Sequence, residues 1–171
     1  MKTLLRAIIL LLVAIWLGGV IFFPVVAASA FSSTNDTHLA GTIVRKCLLV
    51  LHYEGLVAGS LIVLLLLLAQ AFGAFRRVAA PVAVTLIMLG LTVFSQFWII
   101  PKMEGYRIAA GGAIDVASRD DPNTVAFNKL HVMSERVEQG VLLGGLVLVV
   151  LLAANWHVSE TQLRQTVRQT V

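Results

Sequence analysis

Long uncharged runs dominate the pattern of hydrophobic and polar positions along this chain. Each run approaches or exceeds the roughly 20 helical residues needed to cross about 30 Å of hydrocarbon. Because lipid offers no water to satisfy backbone groups, helices are the expected form of such runs. The pattern predicts an all-α fold, an integral membrane four-helix bundle forming one transmembrane domain over residues 1–171. The predicted spans are approximately 7–31, 47–74, 78–101 and 128–156.

The first run resembles a secretory signal, since it has a basic start, an apolar core and an Ala-Ser-Ala ending. Its uncharged stretch, residues 7–31, is longer than a usual signal core. We therefore expect it to be retained as the first membrane span.

The connections between the runs differ in character. The first, SSTNDTHLAG, is polar, and the second, around GAFRRVA, is a short turn. A longer polar loop is predicted over 102–121, with Pro101 ending or kinking the third helix before it. Asp121 is placed to cap the fourth helix and Pro122 to occupy its first position, so this helix begins well before its apolar part. A tail, 157–171, follows it.

Composition supports the membrane class. The chain is 58% hydrophobic and only 13% charged, with a mean hydropathy of +0.91. The net charge of +4 is small, and most basic residues lie at the ends of apolar runs, where they suit a membrane surface. The sequence shows no basic cluster typical of nucleic-acid binding. The single cysteine, Cys47, excludes an intrachain disulfide and a cysteine-based zinc site.

The distribution of Lys and Arg does not decide the orientation, because the two sides of the predicted bundle carry equal numbers of them. The acid-free Arg76-Arg77 turn and the signal-like start favour both termini in the cytoplasm. We therefore expect a multi-pass protein of the cell membrane with the long third loop outside.

A polar stripe begins the fourth helix. At 100° per residue its members fall within an arc of about 120°, on one helix face. They are Asn128, His131, Ser134, Glu135 and Glu138.

The second and third helices add polar residues at a similar predicted depth. His52 shares a face with Gly55 and Gly59, a small-residue pattern that permits close helix approach, whereas Glu54 points nearly the opposite way. The third helix contributes Gln96 near its end. Counting about 20 residues back from the opposite membrane boundary predicts a polar cluster at one end of the bundle. Its members are His52, Glu54, Gln96, Ser134, Glu135 and Glu138.

Two interpretations of these polar residues stay open. Those at the membrane rim are typical of solvated helix ends, whereas Glu54 and Glu138 lie deeper and require partners, because an unpaired charge in hydrocarbon costs several kcal/mol. Haem and metal ions in helical membrane bundles are often held by histidines from two helices at the same depth. This is the second interpretation of His52 and His131, with Glu138 assisting them. Histidines in such positions also serve as members of hydrogen-bonded networks.

The three tryptophans, Trp16, Trp98 and Trp156, are predicted to anchor the bundle at the membrane interfaces.

These features favour a function through binding rather than catalysis, since no paired nucleophile and base and no phosphate loop are present in the sequence. The leading hypothesis is an accessory or structural subunit of a larger membrane complex, whose partners are the lipid bilayer and other membrane subunits or copies of itself. The alternative is a haem- or metal-binding protein that uses His52 and His131 in electron transfer or metal handling. A small transport-associated protein is a weaker alternative, because four unbroken spans lack the broken helices of transporters.

Several segments resemble the transmembrane-protein-205-like family, a membrane family with a domain of unknown function. The similar segments are WLGGVIFFPVVAASAF in the first span, QFWIIPKM at the end of the third, and DPNTVAFNKLHVMSERVEQG at the start of the fourth. The resemblance implies a compact four-span helical protein with a polar mouth and supplies no reaction. Its most specific residues are Trp98, Pro101, Asp121, Pro122, Phe127, His131 and Ser134.

Overall fold

Helices account for nearly all of the regular structure. The computed structural model describes residues 2–75, 77–112, 114 and 117–169, with side chains as far as residue 154. Arg76 and the side chains of Trp156 and of the predicted tail therefore lie outside the described part. No strand occurs within these ranges. The elements are α1 (Lys2–Ser32), α2 (Thr37–Ala71), α3 (Ala79–Phe94), a π-helical turn (Ser95–Ile99), α4 (Ile100–Ala109) and α5 (Pro122–Gln169).

Four helical stretches in the described part of the chain are long and apolar enough to cross a membrane. Helix α3, the π turn and α4 follow one another without a break and form one of the four, Ala79–Ala109. Many large apolar side chains face outward along the stretches, among them Val50, which is 69% exposed, and Leu143, which is 63% exposed. Such a surface suits lipid rather than water. The predicted all-α fold with four membrane helices is confirmed, and it indicates a multi-pass membrane protein.

Aspartates cap two of the helices. The carboxylate of Asp121 accepts hydrogen bonds from the backbone N–H groups of Asn123 at 2.9 Å and Thr124 at 3.0 Å, and α5 begins at Pro122. The predicted start of the fourth helix is therefore confirmed. Asp36 caps α2 in the same way, accepting from the N–H of Leu39 at 2.9 Å.

The polar connections are shorter than predicted. Helix α2 begins at Thr37, inside the segment expected to be the first loop, so residues 33–36 alone connect α1 to α2. The predicted loop 102–121 is also helical over its first eight residues, because α4 ends at Ala109. Pro101 does not end the third helix, since it lies in the first turn of α4, where its missing N–H is tolerated.

Trp16 lies in the core and not at a membrane interface, contrary to the prediction. Its side chain is 2% exposed and packs over the bare backbones of Gly55 and Gly59 on α2. The small residues of α2 accommodate this large ring, which holds α1 against α2. Trp98 is 41% exposed, stacks on Phe94 with ring centroids 5.0 Å apart, and has the Lys102 ammonium 3.9 Å from its ring centroid.

Candidate functional site

A buried histidine connects three helices at one end of the bundle. His52 on α2 is 1% exposed. Its Nδ1 lies 2.7 Å from Oε1 of Gln96, in the π turn, and its Nε2 lies 2.7 Å from Oε1 of Glu138, on α5. We call these three residues the histidine bridge. Both ring nitrogens of His52 are engaged, which fixes the orientation of the ring.

The donors and acceptors of the histidine bridge follow from its chemistry. An amide oxygen can only accept, so Nδ1 of His52 carries the hydrogen that it donates to Gln96. Glu138 is the partner of the other ring nitrogen, Nε2, so each polar group of the bridge has a partner, as buried polar groups must.

The π turn positions Gln96. The Ile100 N–H bonds to the carbonyl of Ser95, five residues back, so one extra residue is inserted into the helical turn. Ser95, Gln96 and Ile99 are all buried here. Turns of this kind are rare and occur frequently at functional sites.

A cavity of about 810 Å³ opens beside the histidine bridge, where α1 ends and α2 begins. One wall is apolar and comes from the second half of α1, including Phe23, Pro24 and Phe31. The polar and charged lining residues all come from α2, α4 and α5, which also contribute apolar residues such as Leu51. Glu138 belongs both to the cavity wall and to the histidine bridge, so the bridge adjoins the cavity at α5.

All five residues of the predicted polar stripe on α5 line this cavity. Ser134 is 5% exposed. His131 and Glu135, by contrast, have side chains that are 56% and 59% exposed, with Nε2 and Oε1 3.4 Å apart. Asn128, the first residue of the stripe, is also exposed. Glu138, the last, has a side chain that is only 17% exposed. The stripe thus runs from solvated residues to the buried bridge.

A charged cluster on the α2 and α4 side of the cavity was not predicted. The carboxylate of Glu104 accepts hydrogen bonds from Arg107 Nε at 2.9 Å and Nη2 at 2.7 Å, and it also pairs with Arg45 of α2. Arg107 in turn donates to the carbonyl of Gly112, which holds the start of the following loop. The i, i+3 spacing of Glu104 and Arg107 was a usable signal only if residues 100–109 had been assigned to a helix.

Glu54 lies apart from the histidine bridge, on the opposite face of α2. Neither of its carboxyl oxygens is accessible, and neither has a hydrogen-bond partner in the described part of the chain. They face α1, since a methyl group placed on Gly19 would lie 3.7 Å from Oε2 of Glu54. The structure therefore unites His52, Gln96 and Glu138 and places Glu54 in the contact between α1 and α2.

His52 and His131 occupy different environments, one buried in the bridge and one exposed on the cavity wall. Ligation of haem or a metal by His52 would first require one of its two hydrogen bonds to break. Within the described residues, no group of three or more His, Cys, Asp or Glu side chains has the arrangement of a metal site.

Comparison with known protein families finds a match. A family model described as a domain of unknown function (DUF4149) matches residues 11–110, which extend from the first membrane helix to the end of α4. No curated protein and no solved structure matches the chain.

Proposed function

The chain belongs to the family of this domain of unknown function (DUF4149), and we propose for it a function in binding: it holds an amphipathic molecule, lipid or lipid-like, in the cavity between α1 and α5. The observation that carries the proposal is that the cavity is lined only by apolar residues on its α1 side, whereas all of its polar and charged residues come from α2, α4 and α5. An acyl chain would lie against Phe23, Pro24 and Phe31 of α1. A polar headgroup would face Arg45, Arg107 and the stripe on α5.

The size and composition of the cavity support this proposal. Pockets for small molecules are commonly about 300–1,000 Å³, mostly apolar, with a few polar groups that fix orientation. The polar groups here are themselves held in place, since Glu104 fixes Arg107 and His52 fixes Glu138. Preformed polar groups lower the ordering cost of binding.

A cavity-filling substitution tests the proposal. Gly41 of α2 lines the cavity, and a Cβ atom there would have no neighbour within 4 Å. We expect Gly41→Phe to place its ring in the cavity and reduce labelling by a photoactivatable diazirine-bearing stearic acid by roughly tenfold, equivalent to about 1.4 kcal/mol. Cross-linked peptides of the unsubstituted protein, identified by mass spectrometry, should come from residues 20–31 and 41–51.

Gly18→Phe is the matched control. Gly18 also has open space around its Cβ position, but it lies on an exposed part of α1 and does not line the cavity. This variant should label as well as the unsubstituted protein. Equal labelling of both variants would mean that the probe reports only general contact with lipid, and the proposal would fail.

We also propose that this binding protein serves as a non-enzymatic accessory subunit of a larger membrane complex. Gly18 on α1 and Gly90 on α3 face outward with no atoms near their Cβ positions, so other helices can approach these surfaces closely. Extraction of the protein from membranes with a mild detergent should recover partner chains with it at a fixed stoichiometry. Recovery of the protein alone, with its amphipathic ligand, would leave a binding protein that acts by itself.

For the orientation, we propose that both termini are cytoplasmic, which places the cavity mouth on the exterior side of the cell membrane. The acid-free turn at Arg77 supports this choice. A cysteine introduced at exposed Asp120, in a Cys47→Ser background, should react in intact cells with a maleimide that does not cross membranes. If a cysteine introduced at exposed Gly73 reacts instead, the orientation is the opposite of the one proposed.

Within the family, we propose that the chain groups with the transmembrane-protein-205-like proteins. Trp98 and Pro101 lie inside the matched region, whereas Asp121, His131 and Ser134 lie beyond its end at residue 110. Comparison of residues 121–140 with members of that group tests the assignment.

A further inference from the structure

Glu54 is a buried carboxyl group that neither the histidine bridge nor the cavity uses. Both of its oxygens are inaccessible and lack hydrogen-bond partners in the described part of the chain, and it does not line the cavity. Its neighbours are Gly19 of α1 and Leu51, one turn earlier on α2, whose Cδ1 would be 2.8 Å from a Cβ on Gly19.

No cationic side chain on the neighbouring helices donates a hydrogen bond to the Glu54 carboxyl in the described part of the chain. Helix α1 has no ionisable side chain after Arg6, and α3 has none along its whole length. On α2 itself, the ring of His52 is committed to Gln96 and Glu138, and Tyr53 is 49% exposed on a different face. On α5, Glu138 pairs with His52, His131 pairs with Glu135, and the cations Lys129 and Arg136 are both exposed.

From this geometry we propose that Glu54 is a proton-binding site that controls the contact between α1 and α2. An ionised carboxylate without a partner is far more costly at membrane depth than a neutral carboxylic acid. The acid is therefore the form compatible with the closed contact. When its O–H bond breaks, the proton passes to water and the bonding electron pair stays on the carboxylate, leaving a negative charge between two apolar helix faces.

That charge would weaken the contact at its closest point. Trp16 packs over Gly55, the residue after Glu54, and Leu51 belongs both to the Gly19 contact and to the cavity lining. Water that solvates the carboxylate would separate α1 from α2 there. This control of the helix contact is separate from the proposed binding function and does not depend on what occupies the cavity.

Two measurements on the full-length protein test the proposal. Dicyclohexylcarbodiimide, an apolar reagent that modifies protonated carboxyl groups from the membrane, should label Glu54. Labelling should fall as the pH is raised, disappear in Glu54→Gln, and persist in Glu138→Gln. Absence of label on Glu54, or label that does not change with pH, would overturn the assignment of the proton.

The second measurement follows the helix contact. In a Trp98→Phe, Trp156→Phe background, Trp16 is the remaining tryptophan. Its emission should move to longer wavelength as the pH rises and the ring meets water, and Glu54→Gln, which keeps a neutral side chain of the same shape, should abolish the shift. An identical shift in the Glu54→Gln protein would show that another group controls the contact.

Discussion

Replacing His52 with alanine is expected to lower the free energy of unfolding by about 2–4 kcal/mol, because it removes both bonds of the histidine bridge at once. The Gln96 amide and the Glu138 carboxyl would each lose a partner 2.7 Å away, and a cavity would replace a side chain that is 1% exposed. Denaturant titration of the purified protein in detergent would measure the loss.

His131→Ala is the matched control for this prediction. Its side chain is 56% exposed and its contact with Glu135 is 3.4 Å, so the stability should change by no more than about 0.5 kcal/mol. A double-mutant cycle of His52→Ala with Glu138→Gln should give a coupling energy of about 1–2 kcal/mol. Equal effects of the two single histidine substitutions would contradict a structural role confined to His52.

The same two histidine variants test the haem or metal alternative. If His52 and His131 were both ligands, the purified protein would carry a Soret band or a stoichiometric metal, and each substitution would remove it. A role of His52 in the bridge predicts instead a change in stability without a change in the absorption spectrum.

The span count and the start of the fourth helix could be predicted because they depend on local properties. Length and hydropathy identify a membrane helix in any tertiary context, and the Asp121-Pro122 pair defines a helix start by its own chemistry. The polar stripe on α5 was predictable for the same reason, since helical periodicity alone places Glu138 on the same face as Ser134.

The buried side of each apolar helix could not be predicted in the same way. In a membrane both the lipid-facing and the buried surfaces are apolar, so hydrophobic periodicity does not separate them. Trp16 was therefore assigned to an interface although it is buried. The usable signal was on the partner helix, where Gly55 and Gly59 mark a face able to accept a large ring.

The histidine bridge depended on contacts between distant parts of the chain. Sequence placed His52, Gln96 and Glu138 at similar depth, but the pairing also required the π turn, which has no clear sequence signature. The Arg45–Glu104 pair was missed because residues 102–109 were assigned to a loop. Polar residues just past a proline are typical of a connection, whereas here Pro101 is accommodated where the π turn passes directly into α4.

The packing of Trp16 makes Gly55 the most sensitive glycine of the contact between α1 and α2. A Cβ atom on Gly55 would lie 2.4 Å from Nε1 and 2.9 Å from Cε2 of Trp16. The same ring also lies against the bare backbone of Gly59, where a Cβ atom would be 2.8 Å from its Cζ3. We expect Gly55→Ala to lower the free energy of unfolding by about 2 kcal/mol, the cost of overpacking exceeding the gain of about 1 kcal/mol in helix propensity.

Two further variants identify the cause of that loss. Gly90→Ala, on a helix surface with no neighbour within 4 Å, should be neutral or stabilise the protein by up to about 1 kcal/mol. Trp16→Leu will itself destabilise the core, but it removes the ring that clashes with the alanine introduced at position 55. The loss in free energy of unfolding of the Trp16→Leu, Gly55→Ala double variant should therefore be smaller than the sum of the two single losses by about 1–2 kcal/mol. A steric clash between the introduced methyl group and the Trp16 ring is relieved when the ring is replaced by a shorter side chain. If the stability loss of the double variant equals the sum of the two single losses, Gly55 is required for a reason other than the tryptophan ring.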